Sequence, residues 1–213
     1  MVGLFSEATL RNETVRNRTV LPPMVCFGWA DTDGIVSEKH WLHYGARAAG
    51  GAGIIIVEAT CVVPDGRLSM DQLGLWSDEQ IPGMRALAAT IRKGGALPLV
   101  QIHHAGWKSV RECTDCPSGP SVEDGNPACT REMSLADMQA VREAFAAAAC
   151  RARKAGFAGV ELHGAHGYLL SQFASPDDNH RTDAYGGSLE NRLRLHVEIG
   201  SAIRAACGPD FIL

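Results

Sequence analysis

Four times along this chain a short apolar run is followed by a longer helical pattern, and each helical pattern stops at a glycine. The runs fall at about residues 20–26, 54–61, 97–103 and 159–163, with a fifth beginning at Phe211; the helical patterns fall at about 38–49, 78–93, 135–155 and 189–206. Gly50, Gly94, Gly156 and Gly208 stand where left-handed turns can close these helices. At the other ends, Ser77 with Gln80 has the spacing of a capping box, and Ser134 and Ser188 can accept from first-turn amides. Strand, helix, strand, repeated, predicts an α/β fold: a parallel sheet covered by helices, either doubly wound or closed into a barrel.

Phosphate loops separate those two. The first run ends in Pro22-Pro23-Met24-Val25-Cys26 where a dinucleotide fold would carry Gly-x-Gly-x-x-Gly, and the chain has no Gly-Lys-Ser/Thr loop. The expectation is a (β/α)8 TIM barrel. Such a barrel needs eight units and about 250 residues, whereas these 213 residues hold roughly half of them. The reading is therefore one domain over 1–213, the N-terminal part of a barrel truncated at its fifth strand. A half-barrel leaves an unpaired edge and uncovered apolar faces. The rest is expected from a longer natural chain, or from a second chain or a homo-oligomer completing the barrel. The long connection over 106–133, rich in Pro, Gly, Ser, Asp and Cys, leaves the C-terminal end of the third run and is expected to lie over the barrel mouth as a lid.

Composition narrows the partners. The formal net charge is -4, without a basic run interleaved with aromatics, which argues against nucleic acid. No apolar run approaches the roughly 20 residues that span a bilayer, and the N-terminus has no basic region followed by an apolar core. Seven scattered cysteines suit a reducing compartment, so a cytoplasmic location is expected.

Chemistry concentrates just after the fourth run. His163, His166 and Tyr168 fall within six residues at the end of a predicted strand, the position at which barrel enzymes keep their catalytic groups. Paired imidazoles can donate to a carbonyl oxygen and hold it most strongly as negative charge builds there. A tyrosine, protonated at neutral pH, can act as general acid toward a carbanion-like centre. Together they suit addition across a polarised double bond, although His-x-x-His also fits a surface turn or half of a metal site.

The residues that follow carry a family pattern. His163-Gly-Ala-His166-Gly-Tyr168, Gln172-Phe173-Ala174-Ser175-Pro176, Asn179-His180-Arg181-Thr182-Asp183 and Tyr185-Gly-Gly-Ser-Leu-Glu-Asn-Arg192 resemble the old yellow enzyme family of flavin-dependent ene reductases, also described as NAD(P)H:flavin oxidoreductases. Upstream, Asn17-Arg18, Pro23-Met24, Val57-Glu58-Ala59, and Gln101 followed by His104-Ala105-Gly106 stand in the same order. The resemblance implies FMN as cofactor and NAD(P)H as reductant. It places Pro23, Met24 and Val25 along the flavin from the first strand, Ala59 from the second and Gln101 from the third. It makes His163 and His166 the binders of the substrate carbonyl and Tyr168 the proton donor, with an enone, enal or enoyl thioester as substrate and no metal. The segment 179–192 would order a loop and start a helix. The alternative is a truncated or split partner subunit without flavin of its own.

Departures from the pattern carry their own expectations. Val25 stands where relatives commonly have Thr or Cys, and Cys26, one place on, faces the opposite side of a regular strand; it is expected to pack. Trp107, where many relatives have Arg, is expected to narrow or stack the substrate pocket. Cys113, Cys116 and Cys129 in the lid are expected to be free thiols.

Overall fold

The structure is a computed structural model and describes residues 3–122 and 130–213, so Cys129 lies outside the described residues. An antiparallel hairpin, β1 (Ala8–Leu10) and β2 (Glu13–Val15), comes first. Then follow β3 (Val20–Leu21), α1 (Glu38–Ala49), β4 (Ile54–Cys61), α2 (Ile81–Lys93) and β5 (Leu97–His103). The lid carries two short paired strands, β6 (Ser118–Gly119) and β7 (Arg131–Glu132). Beyond it come α3 (Leu135–Ala155), β8 (Gly159–Leu162), α4 (Leu169–Ala174), α5 (Leu189–Arg192) and α6 (Arg194–Cys207).

β3, β4, β5 and β8 form one parallel sheet in that order. Ile212 then starts a fifth position: it donates to the Ala158 carbonyl at 3.0 Å and its own carbonyl accepts from Val160 at 2.9 Å. Chain order equals spatial order, which is the winding of a barrel; a doubly wound sheet would reverse direction partway. Among the described residues the sheet stays open, with edges at β3 and at Ile212.

Alternation sorts the strand residues into two layers. Ile55, Val57, Val100 and Ile102 face outward into a core shared with Tyr44, Leu87, Ile91 and Phe145 of the helices. Ile56, Leu97, Leu99 and Ile212 face inward and pack with Val15 of the hairpin, which closes the bottom. α3 presents Met138, Val141, Phe145, Ala148, Ala149 and Ala152 at helical spacing, all buried. Each large side chain of that stripe stabilises the fold by roughly 2 kcal/mol.

Several boundaries depart from expectation for identifiable reasons. β3 stops at Leu21 rather than running to Cys26, because Pro22 and Pro23 have no N–H to give to a ladder. The second helical pattern opens as a 3-10 turn over Asp78–Gln80, with the expected Ser77–Gln80 capping box, before the α-helix begins at Ile81. The last one breaks at Leu193 into α5 and α6. Gly156 and Gly208 do have positive φ, but Gly50 and Gly94 stay right-handed, and the next residues, Gly51 and Gly95, make the left-handed turn. Ser134 and Ser188 cap their helices as expected, accepting from Asp137 and Asn191. No described helix is long and apolar enough to cross a membrane.

Candidate active site

β8 ends at Leu162, and the turn behind it throws the three predicted residues together. His163 Nε2 lies 3.3 Å from His166 Nδ1. The Tyr168 ring stands edge-on to His163, with centroids 5.0 Å apart. The backbone makes this possible at a cost, since His166 has φ 60, a left-handed conformation uncommon outside glycine. Lys108, in the 3-10 turn after β5, supports it: its Nζ donates to the His166 carbonyl at 2.7 Å and sits 5.5 Å from the centroid of the Tyr168 ring.

Hydrogen bonds fix the tautomers. The Ala165 N–H donates to His163 Nδ1 at 3.3 Å, so the His163 proton sits on Nε2 and points at His166 Nδ1. Burial, with His166 adding to it, holds the His163 imidazole down at about 4. Both features make His163 a neutral donor. Burial raises the Tyr168 phenol, which keeps its proton in place.

A second tie joins β5 to this turn. Gln172, at the buried face of α4, donates to the Gly167 carbonyl at 2.7 Å and the Ala105 carbonyl at 3.3 Å, and accepts from the Trp107 N–H at 3.3 Å. Gly106 must be glycine here: its φ is +64, and a Cβ would lie 2.2 Å from Gln172 Oε1. The segment after the site orders the lid as expected. Asn179 Nδ2 donates to the Phe173 and Tyr185 carbonyls, and the buried Arg181 reaches Asp183 and the carbonyls of Pro120 and Met133.

The other predicted residues lie on the neighbouring strands β4 and β5 or in the segment just after β3. Gln101 donates to Glu161 Oε1 at 2.7 Å, directly across the β5–β8 ladder. Ala59 is buried in β4, where Glu58 and Ala59 together oppose Gln101 in a bulge of the kind that re-aims side chains beside sites. Pro23 and Val25 are half-buried, while Met24 is 53% exposed. Cys26 is a half-buried thiol, pushed up to about 12 by burial and the Glu58 carboxylate, and therefore no nucleophile. Trp107 is buried: its indole packs on Gly119 and donates to the Ser121 carbonyl at 2.9 Å, anchoring the lid. Cys113 contacts backbone carbonyls, Val110 at 3.1 Å among them. Among the described residues no disulfide forms, and no group of three or more His, Cys, Asp or Glu side chains is arranged to hold a metal.

Three contributors lay outside the sequence reading. His103 is fully buried, edge-on to Tyr168 with centroids 4.8 Å apart, and neither ring nitrogen has a partner among the described residues. Glu161 pairs with Gln101, and Lys108 holds the turn. Alternation could have found two of them, because His103 is two residues from Gln101 and Glu161 two from His163. Lys108 had no such signal, since its role depends on a turn 58 residues away. A cavity of ≈ 520 Å³ lies elsewhere, at the open edge beside Val20, Leu21, Phe5 and Arg47, and includes none of these groups.

A parallel sheet wound in barrel order, with paired imidazoles and a phenol at the C-terminal end of one strand, defines the class as a TIM-barrel-type α/β fold with a histidine- and tyrosine-bearing turn at its mouth. The sequence model of the NADH:flavin oxidoreductase / NADH oxidase family matches residues 3–213, and the chain belongs to that family. It is 43% identical over 210 residues to an NADPH dehydrogenase of Geobacillus sp. (strain WCH70), covering 98% of this chain and 62% of the relative. A Bacillus pumilus NADPH dehydrogenase is 42% identical with the same coverage. Among solved structures, the old yellow enzyme from Pichia sp. AKU4542 superposes with a TM-score of 0.91 at 29% identity, over 98% of this chain and 57% of that one. A 2-naphthoyl-CoA reductase complex superposes with 0.93 at 30% identity, over 99% of this chain and 34% of that one. The chain thus spans about three fifths of the length of the curated relatives it matches.

Proposed function

We propose that the complete natural protein is an FMN-dependent oxidoreductase that uses NAD(P)H to reduce the activated C=C bond of an enone, enal or enoyl thioester. The observation that carries this reading is the convergence of His163, His166 and Tyr168 on one turn. Family membership and NADPH dehydrogenase relatives support it. The residues at the mouth also fit a flavin: Met24 and Phe27, 53% and 61% exposed, offer apolar surface for a flat ring, and the Gln101 amide offers a polar group for its edge. Pro23, Met24, Val25, Ala59 and Gln101 would hold it, and when bound it supplies the hydride chemistry.

The chain's own groups do the rest. A carbonyl oxygen reaching His163 Nε2 takes the place of His166 Nδ1 as its acceptor, so binding exchanges one acceptor for another, and His166 would donate to the same oxygen through its own ring N–H. A neutral His163 donor suits this exchange, because a permanent imidazolium would bind anions in preference to ketones. The donors gain strength as charge builds on the oxygen during reduction. Tyr168, edge-on to His163, holds the proton destined for the alpha carbon. With the complete protein, NADPH should be consumed in step with cyclohexenone and yield cyclohexanone. Absence of product with either nicotinamide would overturn the reading.

A further inference from the structure

Behind the segment carrying Pro23, Met24 and Val25 lies a carboxylate that the chemistry above does not use. Glu58 is 1% exposed and sits in the β4 bulge next to Ala59. Its Oε2 accepts the Cys26 backbone N–H at 2.6 Å. Its Oε1 accepts from the Tyr44 hydroxyl at 3.3 Å and faces His40 Nε2 at 3.5 Å. His40 Nδ1 accepts from the Ser37 N–H at 3.1 Å, which leaves the His40 proton on Nε2, near Glu58 but without a hydrogen-bond partner among the described residues. The Glu58 N–H in turn donates to the Tyr44 oxygen at 3.0 Å. α1 thus clamps the carboxylate from one side while the segment after β3 hangs on the other.

These partners are all neutral. Burial raises the Glu58 carboxyl, and burial pushes His40 down to about 4, so the imidazole brings no charge to offset the carboxylate. Burying a carboxyl without a cation is costly, and an apolar side chain would fill the layer more cheaply. What the carboxylate adds is a tether. Pro22 and Pro23 cannot donate to the β4 ladder, so the chain beyond Leu21 leaves the sheet without ladder bonds. The Glu58–Cys26 bond takes the ladder's place two residues past Met24.

We infer that Glu58 is a positioning residue for the flavin-lining segment, fixing Pro23, Met24 and Val25 against the sheet by accepting the Cys26 N–H. The inference rests on the flavin reading above. It is tested in the complete natural protein titrated with FMN. Glu58→Gln keeps the side chain's shape but puts an amide among donors that need an acceptor. It should weaken FMN binding roughly tenfold, the loss of one charge-assisted hydrogen bond. The visible flavin band should shift, and the thermal midpoint of the FMN-free protein should stay near wild type. Wild-type affinity and an unmoved band in the folded variant overturn the inference, as does a lowered thermal midpoint with affinity and band unchanged. Should Glu58→Gln not fold, Tyr44→Phe decides: it loosens the carboxylate without touching Cys26. Weakened FMN binding with a shifted band then supports the tether, and wild-type behaviour overturns it. Wild-type protein that takes up no FMN would instead sink the flavin reading, and this inference with it.

Discussion

His163 donates through Nε2 because Ala165 occupies its Nδ1, and it stays neutral because burial and His166 hold it at about 4. One backbone N–H and the burial around it therefore set the chemistry of a side chain. The same turn depends on Lys108, whose ammonium binds the carbonyl of the one left-handed histidine. Lys108→Met keeps the aliphatic stem and removes that charge-assisted bond, worth about 1.5 kcal/mol or more. A carbonyl ligand should then bind about tenfold more weakly, with flavin reduction by NADPH unchanged. Spectral titration with a carbonyl ligand checks the first and rapid mixing the second; an unchanged ligand affinity would remove Lys108 from the site.

Between elements, the glycines at the helix ends decide how each α-helix returns to the sheet. Gly156 ends α3 with φ +94, and a methyl added there would meet nothing within 4 Å, so Gly156→Ala meets conformational strain alone. It should cost about 1 kcal/mol, read as a lowered denaturation midpoint without change in FMN affinity. This level was also the most legible in the sequence. The alternation of Ile54–Cys61 with α2, and of Leu97–His103 with α3, is a strong periodic signal because each element buries one defined face. Signals failed where local chemistry overrode pattern. The apolar run after Val20 read as a strand until two prolines removed its donors, and α4 is too short for periodicity to register. The site divided in the same way. His163, His166 and Tyr168 were adjacent in sequence, whereas Lys108, His103 and Glu58 matter through partners far along the chain. Nothing local in the sequence reveals that the Trp107 indole turns toward Ser121.

Across the whole molecule, buried histidines give stability a definite pH dependence. Burial holds His40, His104 and His163 at about 4 and His103 well below its ordinary 6.5. The unfolded chain thus binds more protons than the folded one between about 6.5 and 4, and stability falls on acidification through that window. Glu58, raised, works in the opposite direction, but it is one group against six, because burial lowers His43 and His196 as well. The thermal midpoint should be flat above neutrality and drop by at least about 5 °C between pH 6.5 and 4.5. A midpoint that rises on acidification would contradict these burial states.

The sheet, lid and turn converge on one arrangement: His163, His166 and Tyr168 at the end of β8. Tyr168→Phe isolates its defining step. Rapid mixing of the complete FMN-loaded variant should show flavin bleaching by NADPH at the wild-type rate and recovery with cyclohexenone slowed about a hundredfold. Equal slowing of both phases, or full-speed recovery with the enone, would contradict the assignment of Tyr168 as the proton donor.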